Sequence, residues 1–144
     1  MTRLPRGVLP DGVFHVTSRG VGQADIFLDD LDRVAFMHLL RAAVGKFSWN
    51  CHVYCLMTNH YHLVLEAKIP LLSAGMHRLN GIYAQHFNTR LERTGHVFES
   101  RFSSRVVERE SHLKNACNYV LENPVRAGLC ARAEDWAWSG ALSD

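Results

Sequence analysis

Apolar positions along this chain follow two periods, and their alternation predicts its elements. Residues 13–18, Val-Phe-His-Val-Thr-Ser, read as a strand that runs into the glycine-containing loop Arg19-Gly20-Val21-Gly22. Phe36, Leu40, Ala43, Val44 and Phe47 then recur at helical spacing, with Asp29 and Asp30 as N-cap residues ahead of them. Residues 49–57 and 60–66 read as two strands across the tight turn Thr58-Asn59. Leu72, Met76, Leu79, Tyr83 and Phe87 form one stripe of a long helix that starts near Pro70 and runs towards Arg93, where Gly95 breaks it. A short strand over 103–108 precedes a final helix over 111–122. Asn123-Pro124 stops that helix, because the residue before a proline avoids the helical region. The tail, with Trp136 and Trp138, is expected to pack back on the body.

The order strand, helix, strand, strand, helix, strand is the split βαβ pattern. It predicts an α+β, ferredoxin-like fold: an antiparallel sheet with helices on one face, plus a C-terminal helix. With 144 residues the chain is expected to form one domain, 1–144, large enough for a real core. A hydrophobic content of 47% with 21% charged residues fits a globular protein. No apolar run approaches the roughly 20 residues of a membrane span, and no signal-peptide core opens the chain. The four cysteines Cys51, Cys55, Cys117 and Cys130 have no metal or disulfide spacing. They read as reduced core residues of a cytoplasmic protein, with Cys51 and Cys55 on one face of their strand.

Charge changes the picture locally. The net charge of +2 says little, yet Arg78, Arg90, Arg93, Arg101, Arg105 and Arg109 face only Glu92, Glu99 and Glu108 within their stretch. Such a run can track a phosphate backbone or form a solvated surface with scattered ion pairs.

The candidate chemistry lies in His60-Tyr61-His62 and in the last helix. Strand side chains alternate faces, so His60 and His62 point the same way with roughly 7 Å between their Cα atoms. Two imidazoles at that spacing can close on one divalent metal, or can be two polar residues on a solvated sheet face. Tyr61, Leu63 and Leu65 point to the opposite face and supply core. In the last helix, Leu113, Ala116, Cys117, Val120 and Leu121 form the apolar stripe. Tyr119 lies off it, with His112, Asn115, Glu122 and Asn123, so packing explains its ring least among the tyrosines. Asn123 follows Tyr119 by four residues, about 6 Å along the axis and roughly 40° around it. Its amide oxygen could complete a metal site with His60 and His62. Glu122 is the rival third ligand, and Asn123 also suits a helix C-cap.

Met57-Thr58-Asn59-His60-Tyr61-His62-Leu63-Val64 resembles the HUH signature of single-tyrosine transposases. Tyr119-Val120-Leu121-Glu122-Asn123-Pro124-Val125-Arg126-Ala127-Gly128 resembles the tyrosine helix of their REP-associated branch. Phe14-His15-Val16-Thr17-Ser18-Arg19-Gly20, Phe87-Asn88-Thr89-Arg90, Gly95 to Phe102 and Trp136-Ala137-Trp138-Ser139 match in the same order, so the resemblance covers nearly the whole chain. It implies a metal-dependent single-stranded DNA endonuclease and strand transferase acting at or near hairpins. It places the nucleophile at Tyr119 and the ligands of Mg²⁺ or Mn²⁺ at His60, His62 and Asn123, the Asn standing where many such transposases carry Gln. Phenols ionise near pH 10 or about that, so a tyrosine nucleophile needs help at neutral pH. Arg19, Arg90, Arg101 and Arg105 are the candidates for holding the DNA backbone. The expected partner is single-stranded hairpin DNA, the expected state a monomer or homodimer, and no membrane is involved. The alternative is a module of the same fold that binds hairpin DNA or RNA without cutting it.

Overall fold

The computed structural model describes residues 12–108 and 110–142, so Arg109 of the arginine-rich stretch lies outside the described residues. The elements are β1 (Gly12–Arg19), α1 (Asp30–Lys46), β2 (Asn50–Leu56), β3 (His60–Ala67), α2 (Ile69–Arg90), β4 (Ser103–Val106), α3 (Glu110–Leu121), α4 (Asn123–Arg126) and β5 (Ser139–Leu142). They build a five-stranded antiparallel sheet in the order β4-β1-β3-β2-β5. Among the described residues no helix is long and apolar enough to cross a membrane.

The sheet is covered on both faces. On one, α1 and α2 close the larger core, in which Phe36, Tyr61, Leu63, Leu65, Met76 and Tyr83 are buried. On the other, α3 packs Val120 against Val53, Cys55, Met57 and Val64, with Leu113, Ala116, Cys117 and Leu121 alongside. The predicted apolar stripes of all three long helices are therefore the faces they bury.

Four details depart from the pattern read along the chain. The helix α2 ends at Arg90, short of Arg93, because Glu92 turns into the left-handed region at φ 53° and Gly95 follows at φ 97°. Pro124 does not end helical structure: after α3 closes at Leu121, Asn123 opens the short α4, with Glu122 already at helical dihedrals. Cys51 and Cys55 lie on opposite faces, since a bulge between Cys51 and Val53 resets the alternation of β2. The tail forms the edge strand β5 on β2, anchored by Trp136 Nε1, which donates to the Leu56 carbonyl at 3.0 Å.

The chain positions the β2–β3 turn firmly. Asp29 caps α1 by accepting from the Leu31 and Asp32 amides. Just before it, the Ile26 and Phe27 amides donate to the Thr58 carbonyl, and the Gly20 amide donates to the Asn59 carbonyl. The start of β3, where His60 stands, is thus tied to the loop that leaves β1.

One glycine of α2 tests the packing. A Cβ on Gly75 would lie 2.2 Å from Trp49 Cζ2, in a ring that is fully buried. Gly75→Ala is expected to cost about 1–3 kcal/mol through overpacking. Gly81→Ala on the same helix meets nothing within 4 Å and is expected to stabilise by up to about 1 kcal/mol through helix propensity. Denaturant melts of the two variants check the opposite signs.

Candidate active site

The site is assembled by register. Antiparallel pairing of β1 with β3 sets Thr17 opposite His62 and Arg19 opposite His60. His15, two residues back on the same face of β1, sits opposite Arg105 of the edge strand β4. The helix α3 then crosses this face, held by Val120 underneath, and holds Tyr119 54% exposed. The result is a cleft of about 680 Å³ lined by His15, Thr17, Arg19, His62, Arg105 and Tyr119, among others.

Within the cleft the rings are close. The His62 ring centroid lies 5.0 Å from that of His60, 5.1 Å from that of His15 and 6.4 Å from that of Tyr119. His62 is buried, and its Nδ1 meets His15 Nε2 at 2.9 Å and Thr17 Oγ1 at 3.2 Å. Its Nε2 is buried with no hydrogen-bond partner. His60 Nδ1 meets Asn59 Oδ1 at 2.7 Å, and Asn59 Nδ2 donates onward to the Gln23 carbonyl. That onward bond fixes the amide so that its oxygen accepts from His60, leaving the lone pair of His60 on Nε2.

Both imidazoles are held neutral. Burial, and then the nearby Arg19 guanidinium, pushes His60 down to about 4. Burial, and then His60, His15, Arg19 and Arg126, pushes His62 down to about 3. Tyr119 has its own cation: the Arg126 guanidinium stands 4.0 Å from the phenol ring centroid, and Arg126 Nη2 donates to the Tyr119 carbonyl at 2.6 Å.

The family model described as "Transposase IS200 like" matches residues 13–123, which contain the cleft and its tyrosine. The chain belongs to that family. IS200-like transposases are enzymes that cut and join DNA, and the cleft lies within the part of this chain that carries the family's pattern. The fold of this transposase is shared by the REP-associated tyrosine transposase whose structure holds a REP hairpin. That likeness has a TM-score of 0.75 at 13% identity over 96% of this chain and 82% of the other. A Deinococcus radiodurans protein described as a transposase has a TM-score of 0.54 at 15% identity, over 83% of this chain and 95% of the other. At these identities the likeness establishes the fold. A comparison with curated proteins returns no match.

Of the residues singled out along the transposase sequence, His62, Tyr119, Arg19 and Arg105 line one cleft, with the His60 ring beside that of His62. Asn123 is half-buried at the start of α4, and Glu122 is exposed beside it. Among the described residues no three His, Cys, Asp or Glu side chains are gathered to hold a metal by themselves. Arg90 stands apart from the cleft, its guanidinium bonded to Asp29 and Asp32 where it ties α2 to the start of α1. Arg101 lines a separate groove between α2 and the segment leading to β4. His15, Thr17 and Arg126 were assigned no role from sequence. The available signal was the polar alternation His15, Thr17, Arg19 on a strand next to the histidine pair.

The depressed histidines make the protein acid-sensitive. The unfolded chain takes up protons near pH 6.5 that folded His60 and His62 refuse until about 4 and about 3. Their contribution is therefore complete above pH 6.5 and lost as the pH falls from there through the folded values. Each neutral imidazole contributes at most about 1.4 kcal/mol per pH unit. Urea melts in EDTA are expected to lose on the order of 2 kcal/mol between about pH 7 and pH 5, with a flatter profile in His62→Ala. A flat wild-type profile in that window would contradict the burial of neutral imidazoles.

Proposed function

We propose that this transposase cuts single-stranded DNA at or near hairpins by passing the scissile phosphorus to Tyr119, with a divalent metal held at His60 and His62. The observation that carries this reading is the unpartnered, buried Nε2 of His62, a residue that lines one cleft with the exposed Tyr119. If His62 carried its proton on Nε2, a buried donor would stand unsatisfied at a cost of about 1–3 kcal/mol. With the proton on Nδ1 instead, the free lone pair suits a cation. His60 carries its lone pair on the same ring position, so the two donors match. Among the described residues no third His, Cys, Asp or Glu joins His60 and His62, which favours another donor type, and the Asn123 amide oxygen is the candidate over the Glu122 carboxylate. Two imidazoles with an amide oxygen accept Mg²⁺ or, better matched to nitrogen, Mn²⁺. When bound, such an ion polarises the scissile phosphate and offsets the charge that builds on it.

The protein's own groups do the rest. Tyr119 Oη forms a bond to phosphorus, the bond from phosphorus to the 3′ oxygen breaks, and the phenolic proton passes to solvent. The leaving strand picks up a proton as a 3′-hydroxyl, while the other strand end is held as a 5′-phosphotyrosine. One phosphoester is exchanged for another, so a second 3′-hydroxyl can reverse the step without a nucleotide cofactor. Arg126 stacks on the phenol and keeps a positive charge beside the transferred phosphate. Arg19 and Arg105 flank the path of the backbone across the cleft. That a protein of this fold is bound to a REP hairpin supports hairpin DNA as the substrate.

The test incubates the protein with end-labelled hairpin single strands from its own genomic flanks and Mn²⁺, then resolves the products on a denaturing gel. The expected result is a slow-migrating protein–DNA adduct and a shorter free strand. Retardation on native gels with no adduct on denaturing ones would instead identify a module that binds hairpins without cutting them.

A further inference from the structure

We infer that His15 is a positioning residue for the metal site, holding His62 in the tautomer that leaves its Nε2 lone pair free. The inference rests on the reading of His60 and His62 as ligands. His15 stands mid-strand, paired on one side with Val64 of β3 and on the other with Arg105 of β4, so its backbone has little freedom. Its Nε2 lies 2.9 Å from His62 Nδ1, and Thr17 Oγ1 lies 3.2 Å from the same atom. Both atoms can accept from Nδ1, and because Nε2 is buried without a partner, the tautomer that leaves no buried N–H unsatisfied carries its proton on Nδ1 and its lone pair on Nε2. Of the two, His15 is nearer, and its ring also packs edge-on against Tyr119 at 6.0 Å between centroids. One side chain therefore sets the orientation of a ligand and borders the nucleophile. His60 is oriented independently, by Asn59. Metal-bound histidines are commonly fixed through their second nitrogen in this way.

Mn²⁺ alone is the probe, its free concentration read from its electron paramagnetic resonance signal during titration of the metal-free protein. His15→Phe keeps a ring against Tyr119 and removes the acceptor; it is expected to weaken Mn²⁺ binding by about 10–100-fold. His15→Gln restores an acceptor oxygen and is expected to recover most of that loss. Melts in EDTA establish that each variant folds, and His15→Leu serves as a second acceptor-free variant should the Phe one fail. Wild-type affinity in a folded acceptor-free variant would overturn the inference, as would equal losses in the Phe and Gln variants, which mark a packing defect. Failure of the wild type itself to bind Mn²⁺ is a different result, and it would remove the metal reading beneath the inference.

Discussion

Tyr119→Phe is expected to remove the covalent protein–DNA adduct while leaving hairpin retardation on native gels unchanged. The substitution deletes one oxygen from a ring that is half in solvent, so neither fold nor cleft shape should alter. The cation–ring contact with Arg126 survives in Phe, which keeps the helix end in place. What is lost is the atom proposed to form the bond to phosphorus. The other tyrosines cannot substitute. Tyr61 is buried on the opposite face of the sheet, where its hydroxyl donates to Asn80. Tyr83 is buried in the larger core, donating to the Ile26 carbonyl. Tyr54 packs against that same core. Loss on the order of 10⁴-fold or more is therefore expected, the scale on which removal of a covalent nucleophile is felt. Adduct formation persisting in Tyr119→Phe would assign the nucleophile elsewhere and refute the proposed mechanism.

The reason that this tyrosine could be singled out from sequence is physical. Tyr119 falls off the apolar stripe of its helix, and an amphipathic helix buries its stripe, so an aromatic residue on the other side stays available. The same alternation argument placed His60 and His62 on one face and Tyr61, Leu63 and Leu65 on the other, as the two cores show. Periodicity failed where a local irregularity resets it. The bulge at Cys51–Val53 adds one residue to β2, and no residue type there announces it. The strand β5 is four residues long and pairs only at the sheet edge, too short for a period to be counted. Pro124 is a different failure: Glu122 and Asn123 hold helical dihedrals ahead of it, against the usual preference, as the chain turns from α3 into α4.

Pairing across strands is what a single chain conceals. His15 and Arg105 are ninety positions apart in sequence and adjacent in the sheet, and the His15–His62 hydrogen bond depends on the β1–β3 register. Arg90 illustrates the converse. As one member of an arginine-rich run it resembled a phosphate contact, but Asp29 and Asp32 from another helix meet it first. A charge in a run has no assigned partner until the fold brings one. Arg19 and Arg105 remain in the cleft, whose described lining residues include His, Thr and Ser side chains and no carboxylate.

The second large effect concerns His62. His62→Ala is expected to abolish detectable Mn²⁺ binding and to lower adduct formation by roughly 10³-fold, corresponding to the several kcal/mol a metal supplies to a charged transition state. The argument turns on placement. His62 stands between His60 and His15, with its ring 6.4 Å from that of Tyr119, so in the proposed mechanism it is the ring that would bring metal and nucleophile to one phosphate. Its removal is not expected to unfold the protein. The larger core lies on the opposite face, and losing the hydrogen bonds at Nδ1 costs about 1–3 kcal/mol, partly offset because no imidazole has to be buried neutral. Activity and stability should therefore separate, with melts in EDTA close to wild type and catalysis nearly gone. His112→Ala is the control: it alters the same cleft without touching the His60–His62 pair, so Mn²⁺ binding should persist. The third ligand is read in the same titration. Asn123→Ala should weaken Mn²⁺ binding measurably and Glu122→Ala should not, because an amide at the head of α4 is half-buried while the carboxylate beside it is exposed to water. The reverse ranking would move the third ligand to Glu122 and leave the two histidines as they are. Retention of Mn²⁺ binding and adduct formation in His62→Ala would instead dismantle the proposed site, whatever Tyr119 does.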